Sequence, residues 1–327
     1  MERRIVLITD CARDLSSSDL GNVNMEGNSI SASLAIRDAI ASFAPVTLYT
    51  ELEDFRDHIK NHEHDLVFPM RYGPTSRTQK GLISSLCETY GIDYMGADNY
   101  TQLLCNDKDL SKKYAREFGF NVPNSIMFRT RTSQEEMVTR VKRLNLPLVV
   151  KPNFGGGSAG ISSSSLVHDY MAAVELVNFH LSLHTTPVLV EEYIAGQEVS
   201  ILMIGGRERM AFCGETQLVI NNQTCFDNHI WGYEEKKIDD SKVDFKVSHL
   251  TTRQEREQAI HIFQSFEKVE YMRVDGRVTD DGFYLLELSP DCYLGPESDF
   301  EIAMKELLDL DYPGSLRFII ENSLNQS

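Results

Sequence analysis

The segment from Pro147 to Ile161, with the sequence PLVVKPNFGGGSAGI, constrains this chain more than any other part of it. Its first residues form a short apolar run rich in β-branched side chains, which predicts a strand that ends near Lys151. The glycines that follow let backbone N–H groups approach phosphate oxygens without obstruction, and the lysine supplies a positive charge. The sequence therefore predicts a nucleotide-phosphate site beside a β-strand.

Two common phosphate-binding motifs do not fit the residues around these glycines. Gly155, Gly157 and Gly160 satisfy the G-x-G-x-x-G spacing of dinucleotide-binding proteins, but that motif needs a helix directly after it. Here the chain continues as ISSSSLV, which indicates an extended or loop conformation. A Walker A loop would end in Gly-Lys-Ser/Thr, and this segment does not. We expect a flexible β-hairpin that forms a lid over a triphosphate; the alternative is a glycine-rich surface loop.

Charge and composition exclude several classes of protein. The 327 residues include 32 basic and 49 acidic ones, and the net charge of −17 makes nucleic acid and anionic membranes poor candidates as partners. The apolar runs are far shorter than a membrane span, and the N-terminal run is too short for a signal peptide. The six cysteines contain no C-x-x-C pair. We expect reduced thiols and a cytoplasmic protein.

The order of apolar patterns predicts an α/β fold in three parts. Strands alternate with helices over residues 1–100, which predicts a small parallel α/β domain. A central block over 101–186 carries the glycine segment, and a block rich in strands covers 187–327. Within the central block, Thr132-Ser133-Gln134-Glu135 matches a capping box and predicts a helix start. The first three strand patterns lie at residues 4–9, 46–49 and 65–69.

A second group of chemically important residues lies in a predicted β-hairpin near the C terminus, with the turn TDDG. Alternation of side chains places Arg273 and Asp275 on one face of the first strand. In the second strand it places Glu287 and Ser289 on one face, and Leu286 on the opposite, apolar face. Two carboxylates beside a phosphate lid supply the oxygen ligands with which Mg²⁺ is bridged to ATP. The alternative is an exposed hairpin with an ordinary surface Asp–Arg pair.

Taken in this order, the motifs resemble those of the ATP-grasp superfamily, in its D-alanine–D-alanine ligase-like branch, over nearly the whole chain. The resemblance implies an N-terminal parallel α/β domain followed by two α+β subdomains that sandwich ATP. It also implies an enzyme that joins a carboxylate to an amine through an acyl phosphate, with conversion of ATP to ADP and phosphate. The matching stretches are Gln79–Leu82, Gly91–Gly96, Asp107-Lys108, Val150–Pro152 with Gly156–Gly160, Glu191–Glu198, Arg273-x-Asp275 and Glu287.

The resemblance implies roles for individual residues. The residues expected to bind ATP are Lys108, Lys151, Gly156, Gly157, Ser158, Glu191, Ile194 and Glu198. Among them, Glu191 and the backbone near Ile194 would contact the adenine edge, and Glu198 would bind the ribose hydroxyls. The residues expected to hold one or two Mg²⁺, with Mn²⁺ as an alternative, are Asp275, Glu287 and Ser289. The residues expected to be catalytic are Arg273, Ser158 and Lys151, with Arg273 steadying the acyl phosphate and the tetrahedral intermediate.

Departures from the family pattern concern the substrates, which are expected to contact Glu26, Trp231, Asp291 and Asp299. Ser289 stands where the family has asparagine, and Asp291 is expected to compensate for it. Asp299 lies near the position where the family offers a serine to the acceptor's carboxylate. Because like charges repel, Asp299 favours an amine-bearing or uncharged acceptor. These features favour a specialised peptide or amide ligase for small amino-acid-like substrates over plain D-Ala–D-Ala synthesis.

Two alternative functions remain at this stage. One is an intramolecular cyclo-ligase that uses the same acyl phosphate. The other is a non-catalytic ATP-binding regulatory protein, which Ser289 and the altered residues around Asp291 would suit. The resemblance also implies a homodimer.

Overall fold

The computed structural model describes residues 3–10, 27–73, 76–157, 160–183, 187–230 and 243–325. Within these ranges the strands form three sheets, one parallel and two antiparallel. The predicted fold class is therefore confirmed. The boundaries near residues 100 and 186 stay a prediction.

The first sheet is parallel, with strand order β2-β1-β3. Every residue of β1 is buried, which explains its uninterrupted apolar sequence. The first helix begins where the Ser29 side chain accepts the Ala32 N–H, and the third ends at Gly91, whose φ of 66° is left-handed. The elements are β1 (Ile5–Thr9), α1 (Ile30–Ala41), β2 (Val46–Tyr49), α2 (Leu52–His58), β3 (Leu66–Met70) and α3 (Leu82–Tyr90).

The central sheet is antiparallel, and it carries the glycine segment. Its strands are β4 (Ser125–Phe128), β5 (Leu148–Pro152), β6 (Leu166–Val167) and β7 (Val188–Glu192), in the order β4-β7-β5-β6. The helices α6 (Gln134–Val141) and α7 (Tyr170–Leu183) pack against it through an apolar cluster that includes Met137 and Val177. Because β5 and β6 pair with Leu148 opposite Val167, the glycine segment joins two antiparallel strands, as the hairpin prediction requires.

The C-terminal sheet has the order β11-β9-β8-β12-β13, with β10 paired to β8. Its central strand β8 is apolar on both faces: Val199 and Ile201 belong to one buried cluster, and Leu202 and Ile204 to another. The strands are β8 (Gly196–Gly205), β9 (Met210–Ile220), β10 (Cys225–Phe226), β11 (Val243–Val247), β12 (Tyr271–Thr279) and β13 (Gly282–Pro290).

Helices cover both faces of this sheet. On one face, the cluster that holds Val199 includes residues of α4 (Asn99–Asn106), α5 (Lys108–Glu117) and α8 (Arg253–Ser265). On the other face, the cluster that holds Leu202 includes residues of α9 (Asp299–Leu308) and α10 (Tyr312–Leu324). That second cluster also contains Ile5, Leu7 and Phe68 of the first sheet. The N-terminal sheet and the C-terminal sheet therefore share one hydrophobic core.

None of the helices in the described ranges is long and apolar enough to cross a membrane. The cysteines that the structure describes are free thiols: Cys87, Cys105, Cys213, Cys225 and Cys292.

Candidate active site

A cavity of about 480 Å³ lies where the glycine segment, the end of β7 and the strands β8, β12 and β13 meet. The central sheet provides one wall and the C-terminal sheet the other. Most of the residues that the sequence predicts for the site line it: Lys108, Lys151, Gly156, Gly157, Glu191, Ile194, Glu198, Arg273, Asp275, Glu287, Ser289 and Asp299. A concave, partly apolar pocket with convergent charged groups is the usual form of a small-molecule site.

The glycine segment leaves β5 and lines the cavity, and two of its left-handed glycines, Gly155 and Gly157, lie at the start of the turn. Gly155 has a φ of 98° and Gly157 a φ of 58°, conformations that an L side chain adopts only with strain. The Asn106 side chain accepts the Gly155 N–H at 3.0 Å, which fixes the start of the turn. Gly156 and Gly157 line the cavity, as expected for residues that present backbone groups to a phosphate.

A buried cluster of three charges lies under the glycine segment. The Glu191 carboxylate accepts hydrogen bonds from Lys112 through one oxygen and pairs with Lys151 through the other. Burial alone would raise the pKa of Glu191, but the two ammonium groups outweigh it and lower the pKa to about 2. Burial lowers the pKa of Lys112 to about 8 in spite of the carboxylate beside it. The predicted contact of Glu191 with adenine stays a prediction, since here its oxygens bind lysines.

Lys112 binds Glu191 beneath the cavity, and none of the sequence motifs includes it. It lies four residues after Lys108 on α5, and both lysines are buried. Residues at i and i+4 share a helix face, so this spacing could have indicated that Lys112 points the same way as Lys108.

Lys108 connects the glycine segment to Glu287, one of the two predicted metal ligands on the hairpin. Its ammonium group donates to the Gly155 carbonyl and lies 3.4 Å from Oε1 of Glu287. Burial would raise the pKa of Glu287, but the positive charges of Lys108, Lys80 and Lys151 lower it below its usual value. Glu287 is therefore held ionised.

The two hairpin carboxylates lie directly opposite each other, because Asp275 of β12 pairs with Glu287 of β13. Asp275 accepts hydrogen bonds from Ser200 at 2.7 Å and from Ser289 at 2.9 Å. The Arg273 guanidinium adds two more, from Nε at 3.0 Å and Nη2 at 3.2 Å. These four hydrogen bonds fix the rotamer of the carboxylate.

A β-bulge after Asp275 corrects one detail of the predicted hairpin. Gly276 pairs with Leu285, so Leu286 is an extra residue on β13. Leu285 is fully buried in the core, whereas Leu286 lines the cavity. The prediction that Leu286 lies on the apolar face was wrong, because simple alternation does not count a bulged residue.

The carboxylate pair fits a magnesium site of the kind that is completed by phosphates. Opposed residues in an antiparallel pair have Cβ atoms about 5 Å apart, so one ion can contact both side chains. Within the part of the chain that the structure describes, no group of three or more His, Cys, Asp or Glu side chains is arranged to hold a metal. Mg²⁺ is commonly held by one or two carboxylates together with substrate phosphates and water. Asp275 and Glu287, with the Ser289 hydroxyl beside them, match that donor set.

Asp299 lies in the cavity wall at the start of α9, and Arg273 contacts it. Nη1 of Arg273 donates to Asp299 at 2.5 Å, and the Thr216 hydroxyl donates to it at 3.0 Å. Burial opposes the charge of Arg273, but Asp275 and Asp299 together raise its pKa well above the usual value. The guanidinium thus joins Asp275, a predicted metal ligand, to the wall of the predicted acceptor site.

Asp291 occupies a different place from the one expected. Its carboxylate accepts the Ala97 N–H at 2.9 and 3.0 Å and the Gln102 amide at 2.5 Å, and it does not line the cavity. A φ of 48° at Asp291 turns the side chain out of the strand alternation and towards α4. Burial raises the pKa of Asp291 well above its usual value. This placement argues against Asp291 as a metal ligand or a substrate contact, and it indicates a structural role.

The segment after β7 and the start of β8 line the opposite end of the cavity. Tyr193, Ile194 and Glu198 lie there, and Arg277 of β12 contacts all three. Arg277 was also missed by the sequence analysis, which stopped at the Arg273-x-Asp275 motif. Ser158, Glu26 and Trp231 lie outside the described residues, so their expected roles stay predictions.

Cys292 lines the cavity but has the properties of a structural thiol. Burial raises its pKa to about 12, although Arg273 acts in the opposite direction. A thiol with this pKa is not a nucleophile at neutral pH.

Known proteins with similar sequences include D-alanine–D-alanine ligases. The chain is 27% identical over 266 residues to a D-alanine–D-alanine ligase of Mycolicibacterium gilvum, in an alignment that covers 80% of this chain and 70% of that protein. It is 28% identical over 270 residues to a D-alanine–D-alanine ligase of Mycobacterium ulcerans, over 80% and 69% of the two chains.

Solved structures share the fold along the whole chain. A D-alanine–D-alanine ligase of Bacillus anthracis in complex with ATP superposes with a TM-score of 0.71 at 21% identity, over 100% of this chain and 98% of the other. The VanG D-Ala:D-Ser ligase of Enterococcus faecalis gives a TM-score of 0.70 at 20% identity, over 99% and 100%.

The family match covers most, but not all, of the residues that line the cavity, since Lys108 lies before the matched range. Residues 114–304, which are more than half of the chain, match the family described as D-ala D-ala ligase C-terminus. The resemblance to ATP-grasp ligases that the motifs indicated is thereby confirmed, and the chain belongs to the D-Ala–D-Ala ligase family.

Proposed function

We propose that this protein is an ATP- and Mg²⁺-dependent ligase that joins the carboxylate of one amino-acid-like substrate to the amine of another. The observation that carries the proposal is the convergence of two kinds of group in one cavity. Asp275 and Glu287 face each other across β12 and β13, and Lys108 and Lys151 lie beneath the glycine segment. Cationic groups and paired carboxylates in one pocket are what the transfer of a phosphoryl group requires.

The proposed reaction has two steps. In the first, a carboxylate oxygen of the donor attacks the γ-phosphorus of ATP, the bond to the bridging oxygen breaks, and ADP leaves. In the second, the neutral amine of the acceptor attacks the acyl carbon, the C–O bond to phosphate breaks, and the amine loses a proton. The products are an amide, ADP and phosphate.

The protein contributes positioning and charge stabilisation to these steps. Lys108 and Lys151 would bind phosphate oxygens, and the backbone at Gly156 and Gly157 would cover them. Mg²⁺ held by Asp275 and Glu287 would neutralise negative charge on the phosphates. Arg273 lies between Asp275 and Asp299, where its guanidinium can stabilise an oxyanion between the two substrates.

The wall beyond Arg273 supports an acceptor without a carboxylate. Asp299 is buried there, and Glu297 lies two residues earlier on the same wall. The Arg273 guanidinium already binds Asp275 and Asp299. A carboxylate on the acceptor would therefore be repelled by Asp299 and Glu297, because Arg273 is already occupied. An amine, amide or diamine acceptor avoids this repulsion.

The two alternatives differ from this proposal in their products. An intramolecular cyclo-ligase would release phosphate and a dehydrated form of a single substrate. A non-catalytic regulator would bind ATP and release no phosphate. Retention of Asp275 and Glu287, which a binding protein without turnover does not need, favours catalysis.

The test is Mg²⁺-dependent release of phosphate from ATP in the presence of pooled D- and L-amino acids, amino-acid amides and diamines, with mass spectrometry of the products. A product with the mass of two substrates minus water supports the ligase. Glu287→Gln should reduce turnover by at least ~100-fold, because it removes one of two carboxylates that neutralise charge in the transition state. Its matched control is Glu267→Gln, since Glu267 is exposed and pairs with Arg207 outside the cavity. Full activity in Glu287→Gln would contradict the assignment of the metal site.

A further inference from the structure

Arg277 is one of the most heavily engaged side chains of the cavity, although no motif includes it. Its Nη1 donates to the Ile194 carbonyl at 2.7 Å, and its Nη2 donates to the Glu198 carboxylate at 3.1 Å. Two further carbonyls, of Phe226 and His229, accept from the guanidinium at 3.4 and 3.1 Å. The residue is only 4% exposed. A buried guanidinium with this many acceptors has a single fixed position.

The position of Arg277 along β12 places it at the end of the cavity away from the carboxylate pair. Arg277 pairs with Glu198 across β8 and β12, and two residues earlier Asp275 pairs with Ser200. Two residues of a strand span about 7 Å, so Glu198 and Arg277 lie about that far from the metal-binding side chain. This is the region in which a nucleotide whose phosphates lie near Asp275 would place its sugar.

Glu198 depends on Arg277 for its orientation. One oxygen of the Glu198 carboxylate binds Arg277, and the side chain is 30% exposed towards the cavity that it lines. A carboxylate fixed in this way can accept hydrogen bonds from two neighbouring hydroxyl groups, the chemistry that a ribose offers. In addition, Nε of Arg277 is a buried donor that has no hydrogen-bond partner among the residues that the structure describes.

We propose that Arg277 is a specificity-determining residue for the sugar of the nucleotide: it holds Glu198 where its carboxylate binds the ribose hydroxyls. The inference rests on the proposed use of ATP and extends it to the choice between ribose and deoxyribose. A nucleotide without the 2′-hydroxyl loses one hydrogen bond to a charged acceptor, which is worth about tenfold in affinity.

The test compares dissociation constants for Mg-ATP and Mg-2′-deoxyATP by calorimetry, so it does not require the substrates of the ligase. The wild-type protein should bind ATP about tenfold more tightly than 2′-deoxyATP. In Arg277→Met this preference should fall below about threefold, because Glu198 loses the partner that aims it. Arg277→Lys keeps a positive charge near Glu198 and should retain part of the preference. Arg207→Met is the matched control, since Arg207 is an exposed arginine outside the cavity, and it should behave as the wild type does.

A second variant keeps the inference testable if Arg277→Met does not fold. Glu198→Gln removes the carboxylate charge and should itself abolish most of the preference for ribose. A wild type without preference, or an unchanged preference in folded Arg277→Met or in Glu198→Gln, would overturn the inference while leaving ATP use intact. Failure of the wild type to bind either nucleotide would instead refute the proposed function and this inference with it.

Discussion

The carboxylate of Glu191 forms ion pairs with the buried ammonium groups of Lys112 and Lys151. Its replacement by an uncharged side chain therefore tests how much this charge cluster contributes to the stability of the protein. The pKa of Glu191 is about 2 instead of 4.5, which at ~1.36 kcal/mol per pKa unit stabilises its ionised form by about 3 kcal/mol. The pKa of Lys112 is about 8 instead of 10.5, and this destabilises its charged form by a similar ~3 kcal/mol. Both shifts include the same attraction between Glu191 and Lys112, so they are not added together; burial of the two charges offsets much of that attraction, which is typical of buried ion pairs.

This balance predicts that losing one partner costs far more than losing both. We expect Glu191→Gln to lower the free energy of unfolding by about 3–5 kcal/mol at pH 7, since Lys112 and Lys151 then lack their counter-charge. The double variant Glu191→Gln/Lys112→Met should regain about 2 kcal/mol or more, because one of the two unpaired charges is gone. Urea denaturation followed by far-UV circular dichroism measures both quantities.

The pH dependence has a defined sign. In the wild type, the depressed pKa of Glu191 contributes stability above pH 4.5, and this contribution is lost as the pH falls from 4.5 to about 2. In Glu191→Gln, the pKa of Lys112 should fall further below 8, so the folded state binds fewer protons than the unfolded chain up to pH 10.5. The deficit of the variant should therefore be smaller at pH 9 than at pH 7.

The neighbouring residue supplies the control. Lys113 is 60% exposed and pairs with Asp109 at 2.7 Å, four residues earlier on the same helix. Lys113→Met should change the free energy of unfolding by less than about 0.5 kcal/mol. This account of the charge cluster would be refuted if Glu191→Gln lost no more stability than this control. It would also be refuted if the double variant lost as much stability as the single variants Glu191→Gln and Lys112→Met together.

Two further substitutions test the hairpin and the contact of Asp291. Gly276→Ala should cost about 1–3 kcal/mol in urea denaturation, because a Cβ at this position would meet the Phe283 ring and the Tyr284 carbonyl; an unchanged unfolding curve would contradict the bulge geometry. Asp291→Asn keeps a side chain that tolerates the left-handed backbone. The raised pKa of Asp291 means that the wild type loses stability as the pH rises above 3.8, so the variant should gain relative to the wild type between pH 5 and pH 8. A difference that stayed constant across this range would contradict a buried, titrating Asp291.

Local patterns of apolar and capping residues predict much of the fold. The three parallel strands were found within one or two residues, because buried parallel strands are continuous apolar runs. The start of α6 lies one residue later than the predicted capping box, with Ser133 accepting the Glu136 N–H in place of Thr132. Neighbouring hydroxyl residues compete for the same cap, and tertiary packing decides between them.

The parts of the site that the sequence could not provide depend on contacts between distant segments. Lys112 matters because α5 delivers it to Glu191, which is 79 residues away. Arg277 matters because three carbonyls from two separate segments, at Ile194 and at Phe226 to His229, converge on it. The left-handed backbone at Asp291 sends its side chain to Ala97, which no local pattern indicates. Motifs identify residues that share a strand or a helix, whereas these groups become neighbours only when the sheets pack together.

The core shared between the first sheet and the helices α9 and α10 has a consequence for how the chain folds. Ile5 and Phe68 belong to the first sheet, yet the residues that cover them, such as Phe300 and Leu316, belong to the distant helices α9 and α10. A fragment that ended near residue 100 would expose this apolar surface to water and would be prone to aggregation. We therefore expect the N-terminal sheet to become stable only when α9 and α10 have packed against it.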